Sequence, residues 1–159
     1  MPDAQGLTLL PQPLLLIEES PEDKETTICA FRKAGVANSI YWCPDGKSAL
    51  DYLNRRREYA ALGSAPRPGI ILLDLNMPGA DGREVLQEIK ADPALKAIPV
   101  IVLTTSIAEG DVESCYESGA NSYVQKPVEM AGLFETIERL KNYWFQLVVL
   151  PKAMDATQD

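Results

Sequence analysis

Four apolar runs in this 159-residue chain each hand over to a residue that can do chemistry. Leu14–Ile17 is followed by Glu18 and Glu19, and Ile70–Leu73 by Asp74, at the head of "DLNMPGADG". Val100–Leu103 is followed by Thr104 and Thr105, and Ser122–Val124 leads shortly to Lys126-Pro127. If these ends meet, three carboxylates share one crevice. Like charges at such range repel and raise one another's pKa. A divalent cation relieves this, and all-oxygen ligation favours magnesium, which keeps several of its waters. A cation plus a lysine is also what a phosphoryl group needs during transfer, because catalysis there is mostly positioning and charge stabilisation. Asp74 would be the nucleophile, forming an acyl phosphate, and Thr104 could donate to a phosphoryl oxygen.

Each residue alone has a plainer role. Asp74 could form a turn, although Asp81 already stands as cap for the helix that follows. Glu18 and Glu19 could be surface acids, Lys126 a solvated loop charge, and Thr104 a partner for backbone groups. It is the four strand ends together that favour the phosphoryl reading.

The elements that must position them are legible from pattern. Ser39–Trp42 is a fifth apolar run, and most of the five are continuous, which suits strands covered on both faces in a parallel sheet. Helical punctuation lies between them. Ser20 is an N-cap with Pro21 at the first helical position and acids in the first turn, and that helix should stop at Gly35. Asp81 and Glu84 form a capping box; Val85, Leu86 and Ile89 mark the buried face, and Pro93 closes the helix. "GDVES" opens another helix at Asp111. The last begins near Glu129, with Leu133, Ile137, Leu140, Trp144 and Val148 in helical period. Strands alternating with helices imply right-handed crossovers and a doubly wound α/β domain, with the five parallel strands in order 2-1-3-4-5. Ligands of such sheets bind beyond the carboxyl ends of strands at the switch point, between strands 1 and 3. We expect residues 1–11 to be a flexible N-terminus, 12–150 the domain and 151–159 a frayed tail. The segment from Asp45 to Pro68 exceeds one helix. Its Arg55, Arg56 and Arg57 read either as the solvated basic face of a helix or as a partner-docking patch.

Composition excludes several classes. The chain is 46% hydrophobic, so it is not disordered, and its net charge of −8 argues against a nucleic-acid surface. The absence of histidine removes His-based acid/base work, His metal ligands and phosphohistidine on this chain. Cys29, Cys43 and Cys115 fit neither zinc spacing nor a disulfide framework and are expected to be buried free thiols. No apolar stretch approaches the roughly 20 residues that span a bilayer, and the N-terminus lacks a basic n-region. A cytoplasmic protein with no membrane association is expected.

The blocks "LLIEES", "ILLDLNMPGADG", "VIVLTTS" and "GANSYVQKP" resemble the signature blocks of bacterial two-component response-regulator receiver domains, over about residues 12 to 145. The resemblance implies a flavodoxin-like receiver fold and no enzyme beyond slow self-dephosphorylation. It implies Asp74 as phosphoacceptor, taking its phosphoryl group from a phosphohistidine on a sensor histidine kinase. Glu19, Asp74 and the backbone carbonyl of Asn76 would ligate Mg²⁺, with Glu18 acting directly or through water. Lys126 would pair with phosphoryl oxygens and Thr104 would swing toward them. Tyr123 would change rotamer in step and repack the face made by helix 4, strand 5 and helix 5. The Lys126–Pro127 bond is expected to be cis. The family most often has aspartate where Glu19 stands. The extra methylene moves that carboxylate outward by about 1.5 Å, and magnesium tolerates poor geometry badly.

A narrower resemblance links the long segment after helix 2 and the closing "NYWFQLVVLP" to stand-alone regulators paired with cyanobacterial phytochromes. It implies a homodimer through the helix 4, strand 5 and helix 5 face, with no output domain following. Tyr143, Trp144, Phe145, Leu147, Val148 and Val149 are apolar around much of the last helix, more than one core face needs. They mark a candidate interface; the alternative is a helix end folded on its own domain. Two other functions compete with a phosphorylation switch. One is a degenerate receiver acting as a phosphorylation-independent dimeric adaptor. The other is an enzyme or flavin carrier of the same fold, disfavoured because "EESPED" would repel phosphate and no P-loop is present.

Overall fold

The alternation of buried strand and amphipathic helix expected from sequence is realised in a computed structural model of the chain, which describes residues 12–61, 63–75 and 82–151. The strands are β1 Leu14–Ile17, β2 Ile40–Cys43, β3 Ile70–Leu73, β4 Val100–Thr104 and β5 Ser122–Gln125. The helices are α1 Pro21–Lys33, α2 Gly46–Leu53, α3 Gly82–Ala91, α4 Glu109–Glu117 and α5 Met130–Leu140. All strand pairs are parallel, in the order β2-β1-β3-β4-β5. The fold is doubly wound and flavodoxin-like.

Strand side chains alternate between faces, so each central strand feeds two cores. Leu15, Ile17, Ile71, Leu73, Val100 and Val102 pack under α2, α3 and α4. Leu14, Leu16, Ile70, Leu72, Ile101 and Leu103 pack under α1 and α5, where Phe31, Leu133 and Ile137 close the layer. Burial on both faces is why β1, β3 and β4 read as continuous apolar runs.

Local punctuation behaves largely as expected. The Ser20 side chain accepts from the Asp23 N–H at 3.1 Å, and Pro21 opens α1. α1 ends at Lys33, and Gly35 takes φ +88°, the left-handed stop that glycine favours. Val85, Leu86 and Ile89 are fully buried on α3. The Asp81 capping box lies outside the described residues. α4 starts two residues before Asp111, which sits inside its first turn. An acid is favourable anywhere in that turn, so the cap motif alone did not set the boundary.

Two expectations need correction here. Cys43 and Cys115 are buried, but Cys29 is exposed. It precedes Ala30 by one residue, about 100° around α1 and off the face that buries Thr27, Ala30 and Phe31. Arg55, Arg56 and Arg57 form no helical face either, because α2 stops at Leu53. Arg55 and Arg57 have φ of 53° and 54°. The Arg56 and Arg57 side chains reach back to the buried Asp51, at 3.2 and 3.4 Å, and Arg55 Nε donates to the Ala65 carbonyl at 3.1 Å. A buried carboxylate needs paired charge, and these arginines supply it while tying the long connection down. No helix among the described residues is long and apolar enough to cross a membrane.

Candidate functional site

The carboxyl ends of β1, β3, β4 and β5 converge on one edge of the sheet, and backbone bonds hold each site residue there. Glu18 N–H donates to the Cys43 carbonyl at 3.1 Å and Asp74 N–H to the Ile17 carbonyl at 3.0 Å. Lys126 N–H donates to the Thr104 carbonyl at 2.7 Å. Behind Asp74 the backbone is crowded: a Cβ on Gly82 would lie 2.8 Å from the Asp74 carbonyl oxygen, so only glycine lets α3 start against this strand tip.

The side chains meet around one ammonium. Lys126 Nζ donates to Glu18 Oε1 at 2.8 Å and lies 3.4 Å from Asp74 Oδ2 and 3.5 Å from Asp23 Oδ2. Glu18 Oε2 accepts from the Ser20 N–H at 3.1 Å. Glu18 is 3% exposed, Asp74 7% and Lys126 9%, so these are core charges, and the Thr104 hydroxyl beside them is fully buried. Burial pushes the Glu18 carboxyl above its ordinary range; the Lys126 bond pulls it back, and the Asp74 charge pushes it up again. Burial works against the Lys126 ammonium, but its bond to Glu18 and the charges of Asp74 and Glu18 prevail and raise its pKa. A cavity of about 150 Å³ opens beside Lys126, between Thr27 of α1 and Leu133 of α5.

The sequence expectations fare unequally. Glu18, Asp74, Thr104 and Lys126 share one edge, as the strand order requires. Glu19 follows at the same strand end but is exposed. β1 ends at Ile17, and the bend at Glu19 leaves that side chain in solvent while Glu18 stays buried. Among the described residues no group of three metal-ligating side chains is poised for an ion, so the gathering of Glu18, Glu19 and Asp74 is not realised. Asn76 lies outside the described residues. The Lys126–Pro127 bond is trans, since no described peptide bond is cis; trans is also the intrinsically favoured isomer.

The donor chemistry nonetheless fits a hard divalent cation. Glu18 and Asp74 are buried, oxygen-only, and close enough that the charge of one raises the pKa of the other. Such a pair gains from a second cation.

A second polar cluster flanks the first. Tyr123 Oη donates to the Ser106 carbonyl at 2.8 Å, and Ser106 Oγ donates to Asp111 Oδ2 at 2.7 Å. Arg83 of α3 donates to the other oxygen of Asp111. That bond first, and the Ser106 bond second, hold the Asp111 carboxyl below its ordinary value.

The candidate interface divides. After α5 the helix widens into a π-type turn over Lys141–Leu147, and Val148 N–H bonds the Tyr143 carbonyl, five residues back. Trp144 is buried in its own domain and Phe145 stacks on Phe31 with ring centres 5.9 Å apart. Val148 packs half-buried against the same core. These three close the α1–α5 layer instead of facing outward, because the helix end folds onto the sheet. Tyr143, Leu147 and Val149 stay exposed, at 52%, 70% and 93%.

Pattern reading missed two residues. Asp23 was a first-turn acid, but α1 starts so soon after β1 that its first turn overhangs Lys126. Trp42 read only as part of an apolar run. Its indole N–H donates to the Glu18 carbonyl at 2.7 Å. The available signal was its place near the end of the strand beside β1.

Comparison with known proteins agrees with this geometry. The family model for the response regulator receiver domain matches residues 14–138. Response regulator Rcp1 of Synechocystis sp. is 40% identical over 143 residues, 90% of this chain and 95% of that protein. The phosphorylated cyanobacterial phytochrome response regulator RcpA superposes with a TM-score of 0.83 at 38% identity, covering 90% of this chain and 100% of that one. The Mn²⁺-bound form of Rcp1 gives a TM-score of 0.82 at 40% identity, covering 89% and 99%. With its parallel five-stranded sheet and its carboxylate–lysine cluster, the chain belongs to the response regulator receiver domain family and is similar to the regulators of cyanobacterial phytochromes.

Proposed function

We propose that this protein is a phosphorylation-switched signalling module in which Asp74 is the phosphoacceptor. The carrying observation is the buried Lys126 ammonium held between Glu18 and Asp74. A nucleophilic carboxylate beside a fixed cation can receive a phosphoryl group whose charge is already met. An Asp74 carboxylate oxygen forms the bond to phosphorus. The P–N bond of a phosphohistidine on a partner kinase breaks, and the imidazole leaves with the electron pair and takes up a proton. Lys126 pairs with phosphoryl oxygens and the Thr104 hydroxyl donates to one. Glu18 and Asp74 are the residues that would hold Mg²⁺, which offsets carboxylate repulsion when bound; Glu19 and the carbonyl of Asn76 would complete the set only if the exposed Glu19 side chain turned inward. The chain acts as a covalent acceptor and not as a turnover enzyme, and residues 12–150 are the working unit.

The similarity to phytochrome regulators supports a sensor histidine kinase of the phytochrome class as donor. Thr104 and Tyr123 would relay the modification to the α4–β5–α5 face, and exposed Tyr143 and Leu147 would contribute to a homodimer there. The test is to mix the protein with Mg²⁺ and a small acyl phosphate. A hydroxylamine-labile phosphoprotein is expected, and labelling that is absent, or that persists in Asp74→Asn, refutes the reading.

Exposed Glu19 favours a second reading, a degenerate receiver that dimerises without being switched. It requires the same association state with and without beryllofluoride, as read by light scattering.

A further inference from the structure

The paired acids Glu18 and Glu19 share one peptide group, and that group is held from outside its own strand. Glu18 N–H donates to the Cys43 carbonyl at 3.1 Å, and the Glu18 carbonyl accepts the Trp42 indole N–H at 2.7 Å. Two consecutive β2 residues therefore grip both polar groups of Glu18, one by main chain and one by side chain. β2 ends at Cys43, before the residue whose N–H would next reach this carbonyl. An indole N–H at this point keeps a strand-end carbonyl satisfied.

The indole is itself fixed. Trp42 sits in register with Leu16 and packs against the α1–α5 core. Lys24 of α1 places its Nζ 4.5 Å from the ring centre, within cation–π range. Trp42 is thus braced on its faces while its edge points at the peptide. From that peptide the Glu18 side chain runs inward to Lys126, and Glu19 stands exposed.

We propose that Trp42 is a positioning residue for Glu18: its indole N–H fixes the plane of the Glu18–Glu19 peptide and so sets the direction of the buried Glu18 carboxylate that serves a divalent cation. The inference rests on the cation-assisted phosphoacceptor reading above. Losing the indole donor frees the peptide to tilt, and the Glu18 carboxylate then spends part of its time turned away from the site. The Trp42 indole bonds the Glu18 backbone carbonyl, so its effect runs through Glu18.

The test is a Mg²⁺ titration of the full chain, followed by amide and indole NMR, in wild type and Trp42→Phe. The chain has two tryptophans, so the Trp144 indole is an internal control. In wild type the Trp42 indole resonance should move with the same midpoint as the Asp74 amide, while Trp144 stays still. Trp42→Phe, which keeps a ring for Lys24 and removes the donor, should bind Mg²⁺ about three- to tenfold more weakly, as one hydrogen bond's worth of positioning implies. The inference is overturned if the wild-type Trp42 indole ignores Mg²⁺ while Asp74 responds, a result that needs no variant to fold. A folded Trp42→Phe with unchanged affinity overturns it too. If no wild-type amide responds to Mg²⁺, the cation-assisted reading itself fails, and this inference falls with it.

Discussion

Two polar clusters sit side by side on the carboxyl edge of the sheet. Glu18, Lys126 and Asp74 meet between β1, β3 and β5 with each residue under a tenth exposed. Arg83, Asp111, Ser106 and Tyr123 meet over the start of α4, where the Arg83 and Asp111 side chains keep 33% and 24% of their surface in contact with solvent. Both join a carboxylate to a cation from another element. The first holds its charges where water cannot screen them, so each member depends on the others. The second lies where water can replace a lost partner, so it can break and re-form at small cost. Fixed charge suits covalent chemistry, and an easily remade contact suits a segment that must move. The difference lies in depth, not in residue type.

Removing Lys126 tests this contrast most severely. Lys126→Met leaves Glu18 and Asp74 facing each other without their cation, and loss of one partner from a buried pair costs about 3–5 kcal/mol. Urea unfolding should show a loss of that order at neutral pH. The loss should shrink toward acid, where a proton replaces the ammonium. A loss under about 1 kcal/mol would mean that the cluster is as well hydrated as its neighbour.

Glu18→Gln comes next and is read against pH in chelator-treated buffer. The folded pKa of Glu18 lies above its ordinary 4.5, so the native state binds the proton more tightly than the unfolded chain does. Its contribution to stability is full below pH 4.5 and is lost as pH rises through the folded value. Wild type should therefore lose stability over that window relative to Glu18→Gln, and parallel profiles would refute the burial argument.

The second cluster should answer weakly and with opposite sign. Asp111 has a folded pKa below its ordinary 3.8, so its contribution is present above that value and is lost as pH falls through the folded one. Arg83→Ala should cost less than about 1 kcal/mol, and less still in high salt. Thermal melts at two ionic strengths measure it. Smallest is Tyr123→Phe, which removes one neutral hydrogen bond to the carbonyl of half-buried Ser106, at a cost of about 0.5 kcal/mol. An effect as large as that of Lys126→Met would show that the two clusters act as one.

The strand ends were legible because burial on both faces writes itself as continuous apolar runs, and a polar residue closing such a run must sit at the sheet's edge. Asp74, Thr104 and Lys126 were found that way, and parallel pairing then brought them together. Glu18 and Glu19 look equivalent as adjacent letters, but in the structure the first is buried and the second, in the bend after β1, is exposed. Trp144 and Phe145 read as surplus apolar surface because the turn that widens after Leu140 has no simple period, and only packing shows them folded onto Phe31 and the sheet.

The sequence by itself determined the elements, their order and the identity of the chemical groups, since these follow from hydrophobic period, caps and residue type, all local properties. Tertiary structure alone decided which acid turns inward, that Asp23 of α1 overhangs Lys126, and that an indole from β2 holds the peptide between Glu18 and Glu19. Those are distances between residues far apart in the chain. They are set by how helices lie across the sheet, which no local pattern encodes.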